Sequence, residues 1–217
     1  MKYQCLLLDH DDTAVDSTAS IHYPAHVEVI RKMRPATTPV SLEGWFEKNF
    51  DPGILEYLVN ELEFSREELD AEYRIWKRHA EERVPRFYPG VIDALKIYRR
   101  GGGKVVVVSH SIADIIRRDF AAGGFEPDLV YGWDFDESKR KPNPWPVTDA
   151  AAKTGLPLSR LLVVDDLRPG VLMARAAGVD AAAAGWGHRI PRIERYMREH
   201  CVAYFADVEE FARYIIE

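Results

Sequence analysis

Four aspartates, Asp9, Asp11, Asp12 and Asp16, fall within eight positions of LLLDHDDTAVDS (residues 6–17), directly behind an oily run. Two carboxylates about 4 Å apart in an effective dielectric of about 20 repel by about 4 kcal/mol. A chain that keeps several together needs a cation between them. Asp165 and Asp166 close the run LLVVDD, Ser109 closes KVVVVS, and Lys141 stands in KRKPNPWP. An all-oxygen ligand set suits Mg2+ rather than zinc. Such an ion attracts a phosphate, and a neighbouring lysine and hydroxyl would hold the remaining phosphate oxygens. The residue types therefore point to metal-assisted phosphate chemistry.

That reading requires residues more than 150 positions apart to meet, so the elements that carry them matter. YQCLLLD (3–9), KVVVVS (104–109) and RLLVVDD (160–166) are apolar runs without polar alternation. Strands covered on both faces of a parallel sheet have that pattern. Weaker strands are expected at 128–133, 179–186 and 201–206. Helical patterns occupy 89–100, 111–124, 144–155 and 169–178, with glycine stops at 101–103, 123–124 and 178. Alternation of strand and helix predicts right-handed crossovers and an α/β fold with a Rossmann-like, doubly wound parallel sheet. All strand C-termini then share one edge, where open sheets of this kind bind ligands.

Residues 18–86 differ: SLEGWFEKNF, GILEYLVNEL and SREELDAEYRIWKRHAEERV read as helices, and Ser65 with Glu68 forms a capping box. The expected organisation is a catalytic core of residues 1–16 and 88–217, interrupted by an inserted all-α domain at 17–87. Lys48 and Asn49 fall where a loop is expected. Asp16 and Ser17 are expected to make a turn or cap, His22 and His26 to be structural, and Trp145 and Trp186 to pack.

The 217 residues carry 29 Lys plus Arg against 35 Asp plus Glu, a net charge of -6. This balance gives no electrostatic reason to expect nucleic acid or an anionic membrane as partner. The two cysteines, Cys5 and Cys201, lie in apolar runs and read as buried thiols of a reducing compartment. No run approaches membrane-spanning length, and the expectation is a cytoplasmic protein.

The same segments resemble a known family. LLLDHDDTAVDS is similar to the first motif of the haloacid dehalogenase-like hydrolases, Asp-x-Asp-x-Thr after a hydrophobic strand. VVVVSHS resembles the second motif, KRKPNPWP the third, and LLVVDDLRPGVLMARAAGV the fourth, in the family's order and spacing. The helical insert resembles the cap domain of one large branch. The resemblance implies Asp9 as nucleophile through an aspartyl-phosphate, and Asp11 as the acid and base serving leaving group and water. It implies Mg2+ held by Asp9, the Asp11 backbone carbonyl and Asp166, with Asp165 beside them. Ser109, the backbone N–H of His110, and Lys141 would grip the phosphoryl oxygens.

Two departures stand out. Position 12, usually glycine, is Asp12, and Gly170 occupies the place of a frequent second aspartate, as in the family's variant with adjacent aspartates. An aspartate two residues after the nucleophile favours phosphoester chemistry over carbon–halogen cleavage. The expected function is a Mg2+-dependent phosphatase of a small phosphorylated metabolite. The alternatives are a sugar-phosphate phosphotransferase or mutase and a non-catalytic phosphometabolite-binding module.

Overall fold

The three apolar runs lie side by side at the centre of a six-stranded sheet. The computed structural model describes all 217 residues. The strands of this sheet are β1 (Cys5–Leu8), β4 (Lys104–Val108), β5 (Leu129–Tyr131), β6 (Leu161–Asp165), β7 (Asp180–Ala184) and β8 (Ala203–Phe205), ordered β5-β4-β1-β6-β7-β8. Every pairing among them is parallel, with β1 between β4 and β6. The outer strands are shorter than the sequence runs that announced them.

The period-2 side-chain alternation of strands sends neighbouring residues to opposite faces. Leu6, Leu8, Val105, Val107, Leu162 and Val164 enter one buried cluster with Leu95 of α5 (Val91–Arg100), Ile116 and Phe120 of α6 (Ala113–Ala122) and Phe211 of α10 (Val208–Ile216). Cys5, Leu7, Val106, Val108, Leu161 and Val163 enter another with Val147 of α7 (Trp145–Thr154) and Met173 of α8 (Arg168–Ala177). The α/β expectation is met, with helices on both faces. α9 (Pro191–His200) also packs here, burying Ile193 and Met197. Cys5 is buried; Cys201 is half-buried and sits at the end of α9 rather than in a strand.

Chain contacts divide the protein into two units, Met1–Asp16 with Arg86–Glu217, and Ser17–Pro85. At the sequence junctions of the first unit, β2 (Val15–Asp16) pairs antiparallel with β3 (Arg86–Phe87). Asp16 is thus in a short strand rather than a turn, and Ser17 makes no side-chain cap.

The second unit is helical: α1 (Tyr23–Met33), α2 (Leu42–Phe50), a single turn α3 (Ile54–Glu56) and α4 (Arg66–Glu82). The Ser65–Glu68 capping box starts α4 as expected. GILEYLVNEL, read as one helix, instead becomes α3 followed by a π turn at Tyr57–Glu61. That turn delivers Tyr57 and Leu58 into a core with Val29, Trp45 and Phe64. Lys48 and Asn49 are not on a loop. Ser41 caps α2 by accepting from the Gly44 N–H, and the helix runs through both to Phe50. Lys48 pairs there with Glu61, and Asn49 donates to the Trp45 carbonyl. No helix is long and apolar enough to cross a membrane.

Candidate active site

The loop after β1 turns back tightly. The His10 carbonyl accepts from the N–H groups of Ala14 and Val15, and the Asp12 N–H donates to the Val15 carbonyl. Asp12 has φ +56°, the left-handed conformation in which aspartate, with its short polar side chain, is among the better tolerated non-glycine residues. The backbone geometry that glycine usually supplies here is therefore present. The loop is also pressed against residue 187, where a Cβ would stand 2.2 Å from the Asp12 carbonyl oxygen, so glycine is required on that side.

Asp9 leaves the end of β1, and Asp165 and Asp166 close β6 and begin the loop after it. Because β1 and β6 are paired in parallel register, their ends coincide. One oxygen from each of Asp9, Asp165 and Asp166 lies within 4.8 Å of the others, and all three residues are buried. Lys141, also buried, sits 2.7 Å from Asp9 Oδ1 and 2.8 Å from Asp165 Oδ2. Burial alone would depress its pKa, but Asp165 and Asp9 outweigh that and hold the lysine charged, above its ordinary range.

Burial pushes the Asp9 carboxyl well above the usual carboxylate range; Lys141 pulls it down, but Asp165, Asp166 and Asp11 add to the rise. Asp166 is raised in the same way, by burial first and Asp165 next. One lysine for three buried acids leaves negative charge uncompensated. The donor set, three convergent carboxylates with a deficit of positive charge, fits a hard divalent cation.

Asp165 has a geometric reason for its neighbour. A Cβ on residue 170 would stand 2.2 Å from Asp165 Oδ2, so the Asp165 carboxylate occupies the space a side chain at 170 would need. Acid at 165 and glycine at 170 are one arrangement. The Leu167 N–H fixes Asp165 Oδ1 at 2.9 Å.

Asp11 turns away from the three acids. Its Oδ2 accepts from Ser111 Oγ at 2.7 Å and Ser109 Oγ at 3.1 Å, and its Oδ1 lies 3.1 Å from His10 Nδ1. Ser109 is buried at the end of β4, where its Oγ accepts from the Ser111 N–H. His110 reaches across to Lys141, with Nε2 2.9 Å from the lysine carbonyl oxygen. Burial and then Lys141 lower its pKa to about 4. The neutral ring therefore ties the lysine loop to the loop after β4, a contact beyond the backbone role expected for His110. Asp9, Asp11, Ser109, His110, Lys141, Asp165 and Asp166 thus stand at the strand ends and on the loops of one sheet edge.

Three further partners were not singled out from the sequence. Thr13 Oγ1 donates to Asp166 Oδ1 at 3.3 Å, and His188 Nε2 lies 3.1 Å from Asp166 Oδ2. Ser111 is the third. Thr13 and Ser111 lie inside quoted motifs and were within reach; His188, in AAGWGHR after β7, carries no such signal. Trp186 does more than pack, its Nε1–H donating to the Thr13 carbonyl. Trp145 packs edge-on to Tyr131. In the helical unit His22 accepts from Trp76 Nε1, and His26 stacks on Trp45, both structural roles.

Comparison with known proteins places these features in a family. The sequence pattern of the haloacid dehalogenase-like hydrolases matches residues 3–178. A phosphoglycolate phosphatase of Pseudomonas syringae pv. tomato is 25% identical over 194 residues, 84% of this chain and 70% of that protein. Among solved structures, a haloacid dehalogenase-like hydrolase from Bacteroides fragilis superposes with a TM-score of 0.82 at 15% identity, covering 97% of this chain and 100% of that one. A haloacid dehalogenase-like protein from Agrobacterium tumefaciens gives a TM-score of 0.78 at 21% identity, covering 98% and 97%. At those identities the superpositions speak for the fold.

Proposed function

Because the chain belongs to the haloacid dehalogenase-like hydrolases, in their phosphatase branch, we propose that it hydrolyses the phosphomonoester of a small metabolite through an aspartyl-phosphate on Asp9. The observation that carries this reading is the convergence of Asp9, Asp165 and Asp166 with Lys141 bridging Asp9 and Asp165.

In the first step an Asp9 carboxylate oxygen attacks phosphorus, the bond to the leaving oxygen breaks, and Asp11 gives that oxygen a proton. In the second step Asp11 takes a proton from water, whose oxygen attacks phosphorus and releases Asp9 with inorganic phosphate. Asp9, Asp166 and the Asp11 backbone carbonyl would hold Mg2+, with Asp165 alongside. The ion, when bound, neutralises charge on the phosphoryl oxygens. Ser109, the His110 N–H and the Lys141 ammonium hold the remaining oxygens. Phosphoryl transfer chiefly needs such positioning and charge neutralisation.

The resemblance to phosphoglycolate phosphatases makes phosphoglycolate the first metabolite to test. With Mg2+, the protein should hydrolyse p-nitrophenyl phosphate and at least one of a panel of small phosphate esters. Activity should vanish on chelation and in Asp9→Asn. Inactivity across the panel with Mg2+ present overturns the reading; rapid interconversion of sugar phosphates with slow hydrolysis replaces it with a mutase.

A further inference from the structure

His10, between the two aspartates of the first motif, is 1% exposed, as is Asp119 on the buried side of α6. The imidazole stands between two acids. Its Nδ1 faces Asp11 Oδ1 at 3.1 Å and its Nε2 faces Asp119 Oδ2 at 3.3 Å. The Nδ1 contact is a hydrogen bond, whereas Nε2 and Asp119 Oδ2 approach to ion-pair distance without hydrogen-bond alignment. Asp119 is itself tied down. Arg118 reaches its Oδ1 through Nε at 2.9 Å and a terminal nitrogen at 2.7 Å. Phe120 lies 6.1 Å from the His10 ring, ring centre to ring centre.

A buried aspartate and a buried imidazole both give up hydration when they are packed inside the protein. Asp119 meets His10, and His10 in turn meets Asp11. Oδ2 of Asp11 is held by the hydroxyls of Ser109 and Ser111, so His10 supplies the grip on the other oxygen. Without it the carboxylate could turn about its own Cβ–Cγ bond.

We propose that Asp119 and His10 form a positioning relay that fixes the orientation of the Asp11 carboxylate for proton transfer to the leaving oxygen. This inference rests on the phosphatase reading. His10 and Asp119 do not touch substrate; they act through Asp11.

The test is the proton demand of the leaving group. p-Nitrophenolate departs without a proton, whereas an alkoxide needs one. Single-turnover phosphoryl transfer from p-nitrophenyl phosphate and from an alkyl ester that the parent turns over is measured with Mg2+ in the parent, Asp119→Asn and His10→Gln. General acid catalysis contributes about 10² to 10⁴-fold, and a misaligned acid forfeits part of that. The alkyl-to-aryl rate ratio should fall about tenfold in both variants. Equal loss on both esters, leaving the ratio unchanged, marks a purely structural role and overturns the relay.

Should both buried variants fail to fold, Arg118→Gln loosens Asp119 from its outer side. It should lower the ratio about threefold, a fraction of the general-acid effect; an unchanged ratio again overturns the relay. A parent inactive on both esters instead sinks the phosphatase reading beneath it.

Discussion

Two buried histidines show how differently the two units treat charge. In the α/β unit, His10 sits between Asp11 and Asp119; burial opposes its charge, but the acids outweigh it and raise its pKa to about 10. In the helical unit, His26 stacks on Trp45 with ring centres 4.1 Å apart, and burial alone lowers its pKa to about 4. The same contrast runs through the other ionisable groups. The α/β unit buries Asp9, Lys141, Asp165 and Asp166 together, whereas the helical unit leaves Lys32 and Arg78 60% and 46% exposed on Glu28, and pairs Lys48 with Glu61 near water. Charge kept in water is inexpensive and does little. Charge held together out of water is costly, and its retention marks the place where chemistry is done.

Breaking that contrast at its strongest point gives the largest effect. Asp9→Asn keeps the shape but removes the attacking oxygen's charge, and turnover of p-nitrophenyl phosphate should fall at least about 10⁴-fold. A variant retaining more than a few per cent of activity would contradict the nucleophile assignment. Lys141→Met strips the cation from between Asp9 and Asp165. Turnover should drop about 10² to 10³-fold, and urea denaturation without added metal should show a loss of about 3–5 kcal/mol.

The helical unit should respond to pH through His26. Its folded pKa, about 4, lies below the ordinary value of 6.5, so the unfolded chain binds the proton first as pH falls. Its contribution is fully present above about pH 6.5 and is lost as pH falls through about 4, up to about 3 kcal/mol. His26→Phe should flatten that limb of the denaturation profile while keeping the ring on Trp45; an unaltered limb would assign the acid sensitivity elsewhere.

Gly170→Ala probes the packing of Asp165. Its Cβ would meet Asp165 Oδ2 at 2.2 Å, and we expect a loss of about 1–3 kcal/mol. Asp165→Gly in the same chain should recover part of it; purely additive losses would mean the two positions are independent. Lys48→Ala, which removes one pair at the surface of the helical unit, should cost less than about 1 kcal/mol by thermal melting. A larger loss would erase the distinction between the two units.

The central strands were legible because β1, β4 and β6 are covered on both faces and so are written as unbroken apolar runs. The short ladder of β2 and β3 was not, since two-residue strands leave no periodicity to read. The apolar spacing of Tyr57–Glu61 resembles a helix locally, but the segment is a π turn that packs Tyr57 and Leu58 into the core of the helical unit. The Asp-Pro-Gly that follows Lys48 and Asn49 suggests a loop, but Ser41 starts a helix that carries through both.

By itself the sequence determined the order of elements and the kind of chemistry, because strand and helix periods are local and acids at strand ends must gather at one edge of a parallel sheet. Only the tertiary structure decided how those acids are shared: Asp9 and Asp165 on Lys141, Asp166 on Thr13 and His188, Asp11 on two serines and His10. Such pairings depend on strand register and on contacts of a few ångströms between loops that are distant in the chain. Nothing local in the sequence encodes them.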